Sequence, residues 1–186
     1  MKDTGIVRRI DELGRIVIPK EIRRSLRLKE GTPVQIYINK LGELTLSKYS
    51  PIVDISECAQ IFCEVVGSII DNNVVILDKD TIIATTKKVK DYLNKMVSDK
   101  LVEKMEERKS YILTTVENSQ MLPIFCNDEN LYINQIIVPI LANSDIVGGI
   151  VAFDLQNSKL TLADVKILQT IAGYIAKQVE WKNSHF

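Results

Sequence analysis

Residues 4–24 read TGIVRRIDELGRIVIPKEIRR, and how this stretch is read decides the fold at the head of the chain. Short runs of isoleucine, valine and arginine lie on either side of Asp11-Glu12-Leu13-Gly14, a turn-like tetrad. β-Branched runs bounded by Asp and Gly predict short strands, here Gly5 to Ile10 and Arg15 to Ile18. Pro19 should open a short helix from Lys20 to Leu26, because its fixed φ suits a first helical turn. Gly31-Thr32-Pro33 then makes a turn. Val34 to Asn39 and Glu43 to Ser47 read as a β-hairpin across Lys40-Leu41-Gly42.

Four short strands and one helical turn in about 50 residues cannot bury a sufficient core alone. Their apolar residues, Ile6, Ile10, Ile16, Ile36, Ile38 and Leu46 among them, need a partner. Either the downstream chain covers them or two copies interleave, and the shortfall itself points to a homodimer through residues 1–50. This head is also basic. The chain has 24 Lys and Arg against 24 Asp and Glu, but residues 1–50 hold eleven against six and residues 51–186 thirteen against eighteen. A head at +5 on a body at −5 suggests that the head alone meets a polyanion.

A boundary is expected at Lys48-Tyr49-Ser50-Pro51, giving domains 1–50 and 51–186. After it, residues 52–71 look helical, with Ile55, Ala59, Phe62, Val66 and Ile69 spaced as a narrow seam. A final helix over about 161–181 repeats that spacing at Val165, Leu168, Ala172, Ile175 and Val179, and Thr161 with Asp164 reads as its N-terminal cap. These seams suit a helical bundle, within one chain or between chains; the plainer alternative is that each packs on its own sheet. Between them, strands are predicted at Val74 to Leu77, Thr81 to Thr85 and Tyr111 to Val116. A polar helical stretch spans Val89 to Arg108, and a strong hairpin joins Gln135–Leu141 to Ile146–Phe153. Pro139 within that hairpin predicts an edge or a bulge. Locally pairing strands with helices at both ends make an α+β domain around an antiparallel sheet.

Composition narrows the chemistry. His185 is the sole histidine, so a serine or cysteine nucleophile has no plausible histidine base. Neither a GxxxxGK[ST] loop nor GxGxxG occurs, and Gly148-Gly149 falls inside a predicted strand. Cys58, Cys63 and Cys126 lack paired metal-ligand spacing and read as reduced, buried thiols. No catalytic set, metal site or cofactor is therefore expected. The start, Met1 to Gly5, has no apolar core of the signal-peptide kind, and no run of about 18 apolar residues exists to span a membrane.

The arginines are more informative. Arg8, Arg9, Arg15, Arg23 and Arg24, with Lys2, Lys20 and Arg27 nearby, offer planar forks and point charges suited to phosphate and guanine. Neighbouring residues of a strand face opposite ways, so only one of Arg8 and Arg9 can enter a shared groove. The plain alternative is surface charge balanced by Asp11, Glu12, Glu21 and Glu30.

The run Thr4 to Arg24, with its DELGR…VIP…E.RR pattern and the following hairpin, closely resembles the signature of AbrB-type transition-state regulators. The resemblance implies a domain-swapped β-hairpin dimer that binds duplex DNA. It assigns DNA contacts to Arg8, Arg15, Arg23 and Arg24, with Arg9 and Lys2 as weaker candidates. The whole layout resembles a sporulation regulator of this kind in which a GAF-like domain follows the module. That implies a cytoplasmic, nucleoid-associated protein of the forespore that activates some genes and represses others. It also implies a homotetramer linked through GAF-like helices, for which the two seams are the candidates, and a pocket between sheet and helices for a small-molecule effector of unknown identity. Two rivals follow: an antitoxin built on the same swapped hairpin, and a GAF ligand-binding module with an incidental basic head. The long, patterned domain after residue 50 argues against the first, and the missing catalytic set against an enzymatic form of the second.

Overall fold

Asp11 organises the start of the chain. Its Oδ1 accepts the backbone N–H of Leu13 at 3.0 Å and of Arg15 at 2.8 Å, and its own N–H donates to the Arg15 carbonyl at 3.1 Å. Gly14, at φ 74°, supplies the left-handed step that closes this turn. In the computed structural model, residues 5–50, 52, 56–115, 120–155 and 160–183 are described. They form two compact units, Met1–Tyr49 and Ser50–Phe186.

In the first unit, α1 (Lys20–Ser25) begins after Pro19 and ends on a left-handed Arg27 at φ 50°, with Leu28 N–H donating to the Arg23 carbonyl at 2.7 Å. Two strands follow, β1 (Val34–Ile38) and β2 (Leu44–Lys48), pairing Ile36 with Leu46 and Ile38 with Leu44. Asn39 Oδ1 caps the connecting loop by accepting the N–H groups of Leu41 and Glu43, both at 2.9 Å. The predicted strands at Gly5–Ile10 and Arg15–Ile18 are not strands in the single chain. Among the described residues neither segment joins a ladder, and a strand exists only where another strand accepts its hydrogen bonds.

The second unit starts with Ile52, fully buried, and α2 (Ser56–Ile70). Next come β3 (Asn73–Leu77), β4 (Ile82–Thr85), a 3₁₀ helix (Lys87–Tyr92), α3 (Asp99–Glu106), β5 (Tyr111–Thr114), β6 (Asn134–Ala142), β7 (Asp145–Asp154) and α4 (Leu162–Asn183). The strands form one antiparallel sheet in the order β4-β3-β7-β6-β5. Both faces are covered. Val74, Ile76, Ile136, Val138, Ile150 and Ala152 belong to the core shared with α2 and α4. Val75, Leu77, Ile137, Val151 and Phe153 belong to a second core with the 3₁₀ helix, α3 and residues 122–132. Period-two alternation thus divides apolar residues between two dry faces, which is why β6 and β7 read as continuous hydrophobic runs.

Close approach explains the glycines in β7. A Cβ at Gly148 would strike the Leu77 carbonyl oxygen and the Ile52 side chain, and one at Gly149 would strike Met105 Sδ. Pro139 is tolerated because β5 pairs with β6 only from Asn134 to Ile137, so Pro139 is flanked by β7 alone, next to a register break at Ile140/Leu141. The helix predicted over Val89–Arg108 is broken. Asn94 takes φ 63°, and residues 94–97 run along β4, with Ile82 N–H donating to the Lys95 carbonyl at 3.0 Å and Asn94 N–H to the Ile82 carbonyl at 2.9 Å. Ser98 then restarts the helix as an N-cap, accepting Leu101 N–H at 3.2 Å. The final helix is capped at Thr161, whose hydroxyl and N–H both donate to Asp164 at 2.7 Å. Val116, the predicted end of a strand, lies outside the described residues, and β5 ends at Thr114.

Candidate nucleic-acid interface

α1 holds no buried residue, so its arginines have no packing role. Arg23 and Arg24 occupy its last turn, where positive charge also complements the helix dipole. Both are exposed, as are Arg8 and Arg9. Of the acids that could have neutralised this surface, only Asp11 forms an ion pair with a candidate arginine among the described residues, through Arg15 Nε at 2.7 Å. The Arg15 side chain stays 70% exposed in that pair, leaving its outer guanidinium nitrogens open to a phosphate. Among the described residues, Arg8 donates to the neighbouring Val7 carbonyl at 3.2 Å. Lys2 lies outside the described residues.

The Asp11 carboxyl is held below its ordinary value of 3.8, first by the Arg15 N–H, then by the Arg15 guanidinium. A depressed carboxylate lends stability that is complete above the unfolded value and fades as pH falls through the folded one. We expect an NMR titration to place Asp11 below 3.8, with the 11–15 turn loosening only in that acid range. Titration at or above 3.8 would mean that the Arg15 anchor is not formed in solution.

The helical seams lie differently from a contact between chains. Ala59, Val66, Val165, Leu168, Ala172, Ile175 and Val179 are buried in the chain's own core. Phe62 packs edge-on against Tyr174 at 5.2 Å, Ile69 is exposed, and Ile55 lies outside the described residues. The exposed apolar residues of these helices are a different set: Ile61, Val65 and Ile69 on α2, with Leu162, Tyr174 and Trp181 on α4. The signal for them was present, since Ile61, Val65 and Ile69 recur every four residues. A helix apolar on two faces offers two seams, and spacing does not say which faces the sheet.

On the face of the sheet away from α2 and α4, Tyr92, Phe125, Tyr132 and Phe153 pack together in the second core. Tyr92 stacks on Phe153 at 5.4 Å, while Phe125 and Tyr132 meet these two rings edge-on at 4.9 and 5.1 Å. Asp128 brackets the group, accepting Tyr132 Oη–H at 2.6 Å and Ile124 N–H at 2.8 Å on one oxygen and both nitrogens of Asn130 on the other. Burial, more than the Asp128 hydrogen bond, pushes the Tyr132 phenol well up, and burial also raises Tyr92. Of the cysteines only Cys63 is buried, its thiol pushed up to about 12 by desolvation; Cys58 and Cys126 are exposed, contrary to expectation. Among the described residues no group of His, Cys, Asp and Glu is arranged to hold a metal, and no helix is long and apolar enough to cross a membrane.

A small basic unit with exposed arginines, followed by a two-faced antiparallel sheet, is the layout of an AbrB-like transcription regulator carrying a GAF-like domain. The fold of the second unit is that of the GAF domain from an Acinetobacter phosphoenolpyruvate-protein phosphotransferase, with a TM-score of 0.58 at 12% identity, covering 72% of this chain and 90% of that one. Residues 54–180 match the family described as stage V sporulation protein T C-terminal, transcription factor, and residues 7–54 the MazE family of bacterial antitoxins, for antidote-toxin recognition. Stage V sporulation protein T of Bacillus subtilis (strain 168) is 40% identical over 97% of this chain and 99% of its own length. The transition state regulatory protein AbrB of the same organism is 42% identical over 39% of this chain and 67% of its own length. The chain belongs to the stage V sporulation protein T family, a family of transcription factors and not of enzymes.

Proposed function

We propose that the chain regulates sporulation genes by binding duplex DNA as a dimer of its N-terminal unit, activating some promoters and repressing others. The observation that carries this reading is an unfinished module. Its apolar residues stand in solvent, with Ile36 62% and Ile38 74% exposed, beside two segments that lack strand partners. A second copy supplies both needs at once by interleaving its hairpins. Each isoleucine so buried contributes roughly 1.5–3 kcal/mol. The dimer then presents Arg8, Arg15, Arg23 and Arg24 twice, with Arg9 and Lys2 as auxiliary contacts. Most would clamp phosphates, with specificity drawn partly from DNA shape.

The exposed stripe of Ile61, Val65, Ile69, Tyr174 and Trp181 supports pairing of dimers into a tetramer through α2 and α4. A signal reaching the GAF-like domain, whether a small molecule or a protein, would tune the regulator. The site of action is the nucleoid, in the cytoplasm of the forespore. The antitoxin match covers the N-terminal module alone, whereas the sporulation relative spans nearly the whole chain, which favours the regulator.

The test is binding of the full chain to promoter duplexes across a salt series. A dimer engaging about six phosphates gives a slope of log affinity against log salt near −5. A slope near zero would remove the electrostatic mechanism, and a folded chain that sediments as a monomer would remove the dimer.

A further inference from the structure

The C-terminal unit is acidic overall, and its lysines are most concentrated in one place. Residues 87–100 carry five lysines against two aspartates, whereas the rest of residues 50–186 carries eight Lys and Arg against sixteen Asp and Glu. We propose that Lys87, Lys88 and Lys90 form a second surface for nucleic-acid phosphates, on the C-terminal unit and in addition to the arginines of the N-terminal one.

Three observations carry it. All three side chains are exposed, and none forms an ion pair among the described residues, although the unit is rich in acids. Their backbone is held in place rather than loose. Val89 and Tyr92 are buried between and beside the lysines, with Tyr92 stacked on Phe153, so Lys87, Lys88 and Lys90 are fixed on the outer side of the 3₁₀ helix. Finally, residues 87–100 contain no arginine. Protein–protein interfaces favour arginine and are depleted in lysine, whereas lysine acts on phosphates as a point charge without reading sequence. The surface therefore fits the backbone of a duplex better than an acidic protein, and it would add affinity without adding specificity.

The inference rests on the DNA-binding reading, and the experiment separates the two. Full-length wild type, Lys87→Gln/Lys88→Gln/Lys90→Gln, and a control with the same change of charge, Lys109→Gln/Lys166→Gln/Lys177→Gln, are titrated with a long promoter duplex over a salt series. The duplexes are also footprinted with hydroxyl radicals. The first triple variant is expected to bind with a slope shallower by about 1 to 2, the loss of one or two phosphate contacts, and to lose protection at the flanks of the footprint. The control should match wild type. An unchanged slope in the first variant overturns the surface while leaving the regulator intact, and so does an equal change in the control, which would report only the long-range field. A wild type that binds no DNA takes both readings down.

Discussion

Arg23→Ala/Arg24→Ala is expected to weaken DNA binding about a hundredfold or more at moderate salt while leaving the protein folded and associated. The magnitude follows from geometry and symmetry. A dimer carries both residues twice, so four guanidinium groups are lost, and two charge-assisted hydrogen bonds among them, at about 1.5 kcal/mol each, already amount to about 3 kcal/mol, or slightly more than a hundredfold. The salt slope should become shallower by about 3 to 4 in consequence. Folding should survive because α1 buries nothing, because Arg23 and Arg24 enter the fold only through backbone hydrogen bonds, and because alanine is a strong helix former. Sedimentation and circular dichroism of the variant decide the interpretation. Wild-type affinity in a folded double variant would exclude α1 from the interface and shift attention to Arg8 and Arg15.

The second large effect is on stability. Phe153 is fully buried in the middle of the sheet, stacked on Tyr92 and met edge-on by Tyr132. Phe153→Ala should cost about 3–5 kcal/mol, combining lost transfer energy with a cavity that the stiff surrounding sheet does not refill. For a unit of this size that is a fall of roughly 10 °C in Tm. Trp181, the only tryptophan in the chain, lies in α4 and reports on this unit separately from the first. A loss below about 1 kcal/mol in denaturant unfolding followed at Trp181 would show that this face of the sheet is not a packed core.

Much of this architecture was legible before any coordinates. The β6–β7 hairpin, the β1–β2 hairpin and the capped final helix follow from local chemistry: apolar runs, the loop from Asn39 to Glu43, and Thr161 with Asp164. What local chemistry cannot supply is a partner. Gly5–Ile10 and Arg15–Ile18 have the composition of strands, yet among the described residues of the single chain they join no ladder. The break at Asn94 was hidden for a related reason. Val89, Leu93, Met96, Val97, Leu101 and Met105 keep an almost helical spacing, but pairing of residues 94–97 beside β4 overrides it. The basic head stands out in the sequence by its charge alone, whereas the outward stripe on α2 and α4 does not, because two apolar faces compete for one sheet.

The free side of β4 bears on how chains of this protein meet one another. A bare strand edge is a template on which a second chain can add its own backbone, and growth of that kind has no natural stop. Here the side-chain amide of Gln60 takes the place of such a neighbour, donating to the Thr85 carbonyl at 3.0 Å and accepting the Thr85 N–H at 3.2 Å. Residues 94 and 95 occupy the Ile82 backbone in the same way, and Pro139 leaves β6 one donor short past the end of β5. With these positions already taken, the β4 edge of this sheet has few backbone groups left to offer a further strand, and the sheet of the second unit is closed to growth on that side.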